Sequence, residues 1–290
     1  MSKVFLVTGS SRGLGRQIAE TVLAAGHSLV ATARKPEQLA DLAEKYGDHV
    51  RAVALDVTDE AAATAAVQAA VETFGRLDVV VNNAGYANTA SVEDMTGQDF
   101  REQIDANLFG VVNVTKAALP VLREQGSGHL IQVSSVGGRV TTPGLSAYQA
   151  AKFAVGGFSE VLAQEVAPLG IKVTVLEPGG MRTDWAGSSM TVHPVSAPYE
   201  PTVGYINSMR ERLMGTAAGD IAKVADVVLK VVELDEPPVR LLLGSDAVGF
   251  AASVEAARAE SDAKWRELSV STDYDGLTAE NLDPLGTLAR

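Results

Sequence analysis

Short apolar runs alternate along this chain with longer stretches whose apolar residues recur at helical spacing. The runs, which are predicted strands, are Lys3–Thr8, Ser28–Ala33, Val50–Leu55, Leu77–Val81, Gly128–Ser134, Lys172–Leu176 and Val239–Leu243. Predicted helices occupy Gly13–Ala25, Pro36–Tyr46, Asp59–Phe74, Gly97–Arg123, Ala147–Val166 and Asp220–Glu233. Strands that are apolar on nearly every residue are buried on both faces. The pattern therefore predicts an α/β fold: a doubly wound parallel sheet of about seven strands with helices on both faces.

Residues 184–218 interrupt this alternation with several Gly, Ser, Pro and Met residues. Because the α/β pattern resumes afterwards, we expect an irregular substrate lid that is mobile without ligand. Its larger apolar residues are expected to form an apolar wall of the site, or else to pack against the lid itself. These residues are Trp185, Met190, Tyr199, Tyr205, Met209 and Met214.

The chain beyond Gly249 differs in composition from the α/β region. The mixed charges of Ala251–Leu268 predict a surface helix, with Trp265 as a candidate docking anchor, and Ser269–Arg290 is expected to be loosely ordered. We therefore predict a nucleotide-binding and catalytic domain over residues 1–248 and a C-terminal helical extension over 249–290.

Composition excludes several classes of chemistry and makes some classes of partner unfavourable. The 290 residues contain no cysteine, which excludes disulfides, thiol nucleophiles and thiolate metal sites, and no metal is expected. A net charge of −12 disfavours nucleic acid and anionic membranes as partners. Met1–Lys3 lead directly into an apolar strand without a signal-peptide pattern, and no apolar run approaches the roughly 18 residues that span a bilayer. A cytoplasmic protein is expected.

The segment Thr8–Gly15 links the first strand to the first helix and holds glycines at 9, 13 and 15. Gly9 allows a tight turn, Gly13 lets a phosphate approach the backbone, and Gly15 brings the helix close to the strand. The other predicted cofactor-binding residues of the turn are Ser11, Arg12 and Leu14. The N–H groups at the helix start can bind a pyrophosphate, so the turn predicts a dinucleotide site.

The end of the second strand indicates which dinucleotide is bound. NAD-specific folds often place an acidic residue there to bind the ribose hydroxyls, whereas this chain has Ala33 followed by Arg34 and Lys35. Guanidinium geometry suits a 2′-phosphate, which Arg12 can also reach. Alternatively, Arg34 and Lys35 are solvated charges at a strand end. Two cations without the acid favour NADP(H).

Two further strand ends supply candidate cofactor contacts. Asp56, with the Val57 backbone beside it, can bind the adenine amino group, or it can cap the next helix as Asp59 can. Asn83, Ala84 and Gly85 follow the fourth strand, beside the topological switch point, where small residues let a ribose lie against the backbone. The alternative for this segment is an ordinary polar turn.

The candidate chemistry lies in the second half of the predicted sheet. Tyr148 and Lys152 are four residues apart and share a helix face, so the ammonium is expected to lower the phenol pKa. Ser135, at the end of the fifth strand, can hold a substrate oxygen, and Asn107 can hold a water that links Lys152 to solvent. Each feature alone occurs by chance, and Ser135 can be a turn residue. Together with the glycine turn they predict hydride transfer.

These motifs resemble the short-chain dehydrogenases/reductases, over about Lys3–Leu243. Thr8–Gly15 is similar to the cofactor turn of that family and Asn82–Gly85 to its Asn-Asn-Ala-Gly segment. Its catalytic tetrad is matched by Asn107, Ser135, Tyr148 and Lys152. Pro178 and Gly179, followed by Thr183, resemble the segment that contacts the nicotinamide carboxamide, and residues 31–34 are similar to NADP-preferring members.

The resemblance implies a Rossmann-type fold and a homo-oligomer, either a dimer or a tetramer. It also implies an NADPH-dependent carbonyl reductase or alcohol dehydrogenase, in which Tyr148 protonates the substrate oxygen. A hydrophobic ketone or aldehyde is the expected small-molecule substrate. Two rivals remain at this point: a non-catalytic NADPH-binding sensor or regulator, and an epimerase or dehydratase that uses the cofactor transiently.

Overall fold

Seven parallel strands form the centre of the computed structural model, which describes residues 2–182, 190–213 and 215–283. The strands are β1 (Val4–Val7), β2 (Ser28–Ala33), β3 (Val50–Ala54), β4 (Val79–Asn82), β5 (Gly128–Val133), β6 (Ile171–Pro178) and β7 (Arg240–Leu243). Their spatial order is β3-β2-β1-β4-β5-β6-β7. The order reverses between β1 and β4, which is the switch point of a doubly wound Rossmann-type sheet. The predicted fold class is confirmed.

Helices cover both faces of this sheet. They are α1 (Gly13–Ala24), α2 (Ala40–Tyr46), α3 (Glu60–Phe74), α4 (Gly97–Ile104), α5 (Gly110–Gln125), α6 (Ser146–Val166), α7 (Tyr205–Leu213) and α8 (Ile221–Glu233). Two further helices follow β7: α9 (Ser245–Val270) and α10 (Ala279–Leu282). None of the helices in the described ranges has the length and hydropathy needed to cross a membrane.

The alternation of side chains along β1 explains why the sheet is buried on both faces. Phe5 and Val7 belong to the core cluster that contains α1, α2 and α8, whereas Val4 and Leu6 belong to the one that contains α3, α5 and α6. Successive residues of a strand point to opposite faces, so an uninterrupted apolar run contributes to two cores. Burial of all four side chains is nearly complete.

The helix predicted as one element over Gly97–Arg123 is divided in the structure. A π-helical turn, Asp105–Phe109, separates α4 from α5. Within this turn the Asn107 Nδ2 atom donates to the carbonyl oxygens of Gln103 and Tyr86, both at 2.8 Å. Because the Tyr86 contact is tertiary, helical periodicity along the chain does not reveal the interruption. Such π turns are frequent at functional sites.

The lid region also contains regular structure that its composition does not predict. Residues 197–204 form two short helical turns, and α7 follows directly. The prolines of this stretch, Pro198 and Pro201, lie in the first positions of those turns, where proline is well tolerated. The expectation of an irregular segment is therefore wrong for this part of the run. Thr183, Trp185 and Met214 lie outside the described residues.

The chain groups into two compact units, Met1–Phe250 and Ala251–Arg290. In the second unit, α9 continues to Val270, and Trp265 is 54% exposed. The short helix α10 lies in the stretch for which loose order was expected from the sequence. The first unit contains the whole sheet and every candidate site residue that the structure describes.

Candidate active site

A cleft of about 1480 Å³ opens beside the carboxyl ends of the strands. It brings together every predicted site residue except Thr183, which is outside the described ranges. The predicted residues that line it are Gly9, Ser11, Arg12, Gly13, Leu14, Gly15, Arg34, Asp56, Val57, Asn83, Ala84, Gly85, Asn107, Ser135, Tyr148, Lys152, Pro178 and Gly179. One continuous cleft thus joins the glycine turn to the Tyr–Lys pair.

The glycine turn forms a cradle that larger residues would fill. Gly9 and Gly13 have φ angles of +70° and +56°, a left-handed conformation that favours glycine. A Cβ atom on Gly15 would lie 2.3 Å from both the Asn83 side-chain nitrogen and the Gly9 carbonyl oxygen. Helix α1 begins there without a side-chain cap and without an acidic residue in its first turn. Its uncapped N–H groups are available to an anion.

Hydrogen bonds fix the Asn82–Gly85 segment against this cradle. The Thr8 hydroxyl accepts from the backbone N–H groups of Asn83 and Ala84, both at 2.9 Å, and Asn83 Nδ2 donates to the Thr8 carbonyl at 2.9 Å. Asn82 Nδ2 donates to Gln132 Oε1 at 2.8 Å and so links β4 to β5. The segment is therefore a turn that also holds β4 against β5 and against the glycine turn. Thr8 is a positioning residue that motif reading does not single out.

Three cations that line the cleft near the glycine turn and the end of β2 make no ion pair with any described residue. Arg12, Arg34 and Lys35 are exposed and line the cleft. Arg16, by contrast, is paired with Glu20 at 2.7 Å and with Asp41. Because Ala33 ends β2, no carboxylate stands at the position that would repel a phosphate. The cations are thus free to bind an anionic ligand.

Of the two acidic residues that the sequence offers as caps of α3, only Asp59 caps the helix. The Asp59 carboxylate caps α3 by accepting from the Ala61 and Ala62 N–H groups, at 2.8 and 3.0 Å. Asp56 instead closes a local turn: its Oδ1 atom accepts from the Thr58 backbone N–H at 3.0 Å and hydroxyl at 2.7 Å. Asp56 therefore does not cap the helix, and it faces the cleft.

Tyr148 and Lys152 lie one turn apart in α6 and are 6% and 4% exposed. The Lys152 Nζ atom is 5.6 Å from the centre of the Tyr148 ring and donates to the Val133 carbonyl at 2.8 Å. That carbonyl belongs to the last residue of β5, which directly precedes the serine pair. The helix and the sheet together therefore fix the ammonium beside the phenol.

Burial dominates the proton equilibria of this pair. It raises the pKa of Tyr148 to about 12, while a hydrogen bond with Ser135 acts in the opposite direction. Burial lowers the pKa of Lys152 to about 8. The expectation that the ammonium lowers the phenol pKa is thus wrong in this structure, because loss of hydration disfavours both charged forms. Tyr148 is a protonated phenol at neutral pH.

Ser135 and Asn107 line the cleft beside Tyr148 and Lys152. Ser135 Oγ accepts from the Gly137 N–H at 3.0 Å, so the residue caps a short turn in addition to bonding Tyr148. Asn107 Oδ1 is buried and has no hydrogen-bond partner in the described chain. A Cβ on Gly85 would lie 2.5 Å from this oxygen and 3.8 Å from Lys152 Nζ. A free buried acceptor thus lies near the lysine, where it can bind a water or a ligand donor.

The described part of the lid is attached to the body of the protein. Met190 packs against Tyr148 and Ala87, and Thr191 accepts a backbone hydrogen bond from Thr89 at 2.9 Å. Within the described part of residues 184–218, the cleft is lined by Thr191, Arg210, Gly215 and Ala217. None of the described residues predicted to form an apolar wall lines the cleft, so that prediction is wrong for Met190, Tyr199, Tyr205 and Met209. Met190 instead packs inside the protein. The mobility expected of the run stays a prediction.

A residue far along the chain supports the Pro178–Gly180 segment. Asp246 Oδ2 accepts from the Gly180 N–H at 2.7 Å, and a Cβ on Gly179 would lie 2.3 Å from Asp246 Oδ1. The Gly179 N–H donates to the Leu243 carbonyl at 2.9 Å. Sequence reasoning missed Asp246, because a single Asp at the start of a helix reads as a cap. Only the fold brings it against this loop.

Comparison with known proteins agrees with the fold. Residues 3–192 match the family described as short chain dehydrogenase. An oxidoreductase of Botryotinia fuckeliana, BOA17, is 58% identical over 273 residues, which covers 94% of this chain and all of that protein. The chain therefore belongs to the short-chain dehydrogenase/reductase family, and it is an oxidoreductase.

Two solved structures extend the comparison. A short-chain dehydrogenase from Streptomyces avermitilis is 38% identical, with a TM-score of 0.87, over 94% of this chain and 99% of that one. A 3-ketoacyl-(acyl-carrier-protein) reductase from Brucella melitensis, complexed with NADH, is 26% identical, with a TM-score of 0.71, over 83% of this chain and 96% of that one. The likeness thus covers most of the chain.

Proposed function

We propose that this oxidoreductase uses NADPH to reduce a ketone or aldehyde to an alcohol. The observation that carries the proposal is the presence of Ser135, Tyr148 and Lys152 in the same cleft as the glycine turn. A sensor that only binds the cofactor has no need of this set of residues, so catalysis is the favoured reading.

The residues of the cleft fit a nicotinamide dinucleotide. The left-handed glycines and the uncapped start of α1 would hold the pyrophosphate. Asp56 and Val57 would bind the adenine, and Asn83, Ala84 and Gly85 the ribose. Pro178 and Gly179 would lie against the nicotinamide, as would Thr183, which is outside the described residues. When bound, the nicotinamide supplies a hydride.

The preference for NADPH rests on charge at the end of β2. Arg12, Arg34 and Lys35 line the cleft without an ion pair in the described chain, and Ala33 leaves no carboxylate beside them. A 2′-phosphate would satisfy these cations, whereas a free ribose diol would leave them without a counter-charge. The NADH complex of the Brucella reductase supports a nicotinamide cofactor in general. The choice of NADPH rests on the three cations of this chain.

Tyr148 is the proposed general acid. Its pKa of about 12 keeps the phenol protonated at neutral pH, so a proton is available for the substrate oxygen as hydride reaches the carbonyl carbon. With the two electrons that the hydride of a bound nicotinamide would supply, the proton from Tyr148 would complete the alcohol, and the phenolate would recover a proton from solvent. The Ser135 hydroxyl can donate a hydrogen bond to the substrate oxygen, and protonated Lys152 stabilises the phenolate.

A spectrophotometric screen tests this function directly. Purified protein is mixed with NADPH and a panel of ketones and aldehydes, and with NADP⁺ and secondary alcohols, while absorbance of the reduced cofactor is followed. We expect substrate-dependent consumption of NADPH with some carbonyl compounds, and slower consumption of NADH. Tight NADPH binding without turnover of any panel member would contradict the proposal and favour a sensor.

Asp246 offers a separate test of the nicotinamide end of the cleft. Asp246→Ala removes the carboxylate that accepts from the Gly180 N–H, and a hydrogen bond to a charged group contributes roughly 1.5–3 kcal/mol. We expect NADPH affinity, measured by fluorescence titration, to fall about tenfold. Asp246→Asn keeps an acceptor oxygen and should retain most of the affinity. Equal affinities in all three proteins would show that Asp246 does not position this segment.

A further inference from the structure

The cleft carries an excess of positive charge in an acidic protein. The chain has a net charge of −12, yet among the residues that the structure describes six arginine and lysine side chains line the cleft against three acidic ones. The acidic side chains are those of Asp56, Glu102 and Asp105, all of them exposed to water. A cleft lined mainly by charges of one sign raises the local concentration of oppositely charged ligands.

Four of the six cations already have a place in the proposed function. Arg12, Arg34 and Lys35 lie at the phosphate end, and Lys152 lies beside Tyr148. The two that remain, Arg182 and Arg210, come from the chain that follows β6. Arg182 Nε donates to the Ala217 carbonyl at 2.8 Å, which fixes the stem of its guanidinium. The proposed cofactor chemistry gives neither of these two residues a role.

Arg210 lies in an unusual environment for a cation. It is half-buried on α7, and among the described residues it has neither an ion pair nor a hydrogen-bond partner for its guanidinium. Burial lowers its pKa from the ordinary value, although Glu211 acts in the opposite direction. One turn earlier on the same helix face, both side-chain polar atoms of Asn207 are buried and unpartnered. Unpaired buried polar groups are costly, and a bound anion would offset this cost.

The part of the lid that leads into this helix contacts residues near Tyr148. Met190 packs against the Tyr148 ring. Val203, two residues before α7, lies against Gly144 in the loop that leads into α6; a Cβ on Gly144 would be 3.1 Å from Val203 Cγ1. The chain that carries Arg210 therefore borders the loop that leads to the proposed general acid.

We propose that Arg210, together with Arg182, binds a carboxylate on the substrate, so that the carbonyl compound reduced at Tyr148 is an oxo acid. The inference rests on the proposed function and narrows its substrate class. A guanidinium binds a carboxylate through two parallel hydrogen bonds, and a half-buried guanidinium favours an anion over the neutral ester of equal shape. The apolar substrate expected from the sequence is replaced by an anionic one.

A matched pair of substrate series tests the proposal. Oxo acids and their methyl esters are compared by kcat/KM with NADPH, and the acid-to-ester ratio is determined for the wild type, Arg210→Ala, Arg210→Lys and Arg182→Ala. We expect the wild type to prefer the acids, and Arg210→Ala to lower the ratio by about 10- to 100-fold, the loss of a charge-assisted pair. Arg210→Lys should lower the ratio less, because it retains the charge.

Arg212→Ala is the control. Arg212 lies on the same helix but does not line the cleft, and its Nε donates to the Ser208 carbonyl at 3.3 Å. Its removal should leave the acid-to-ester ratio unchanged, and thermal unfolding of each variant checks the fold. As a second measurement, rising salt should increase the KM of the acids and not that of the esters, since screening weakens the charged contact.

The outcomes separate this inference from the function on which it rests. If no carbonyl compound is reduced, the proposed function fails; if other ketones or aldehydes are reduced but neither the acids nor the esters are, the function stands and the carboxylate site is wrong. If both are reduced but the acid-to-ester ratio is near one, or does not change in Arg210→Ala, the function stands and the carboxylate site is wrong. If Arg210→Ala weakens NADPH binding with an unchanged ratio, Arg210 contacts the cofactor, which also overturns the proposal.

Discussion

Replacing Tyr148 with Phe is expected to lower kcat for carbonyl reduction by a factor of about 10²–10⁴, the usual contribution of a general acid. The substitution removes one hydroxyl from a side chain that is only 6% exposed and keeps the ring that packs against Met190. We therefore expect NADPH affinity and the unfolding temperature to change little. Steady-state kinetics, cofactor titration and thermal unfolding measure the three quantities.

Tyr199→Phe is a matched control for the loss of a hydroxyl. The Tyr199 hydroxyl donates to Glu93 at 2.7 Å, on the lid and outside the cleft lining, so its removal should leave kcat within a small factor of the wild type. If Tyr148→Phe retained full turnover with a carbonyl substrate, Tyr148 would have no part in proton transfer. The proposed mechanism would then need another acid.

The sheet could be predicted from the sequence because its signal is local. A run such as Val4–Val7 is apolar at every position, and only a strand buried on both faces requires this. The interruption of the predicted helix at Asp105–Phe109 could not be predicted in the same way. It depends on the hydrogen bond from Asn107 to the Tyr86 carbonyl, and the local helical pattern gives no indication of this partner.

Some residues of the candidate site could likewise be predicted from local sequence, and others could not. The glycine turn and the pair of Tyr148 and Lys152 are short-range motifs, so spacing along the chain is sufficient to recognise each of them. The fold alone brings Arg210 to the cleft and Asp246 against Gly180 at its edge, and neither residue carries a local signal. The pKa of Tyr148 was predicted in the wrong direction because it depends on burial, and the burial of one side chain is a property of the whole fold.

The second large effect is expected at the adenine end of the cleft. Arg34→Asp should weaken NADPH binding by about 10- to 100-fold, because it removes a charge-assisted contact worth roughly 1.5–3 kcal/mol and places a carboxylate beside the 2′-phosphate. NADH affinity should change little or improve, since a carboxylate at the end of β2 can accept hydrogen bonds from the ribose diol. Titration of wild type and variant with both cofactors gives the ratio of affinities.

Arg51→Asp provides the same change of charge away from the site. Arg51 is exposed near the start of β3, whereas Arg34 follows the end of the neighbouring strand β2, and Arg51 does not line the cleft. If the effect of Arg34→Asp came from net charge alone, both variants would lose NADPH affinity equally. A specific phosphate contact requires that Arg34→Asp alone shift the preference toward NADH. A wild-type protein that already binds NADH more tightly would show that the cations at Arg34 and Lys35 serve no 2′-phosphate.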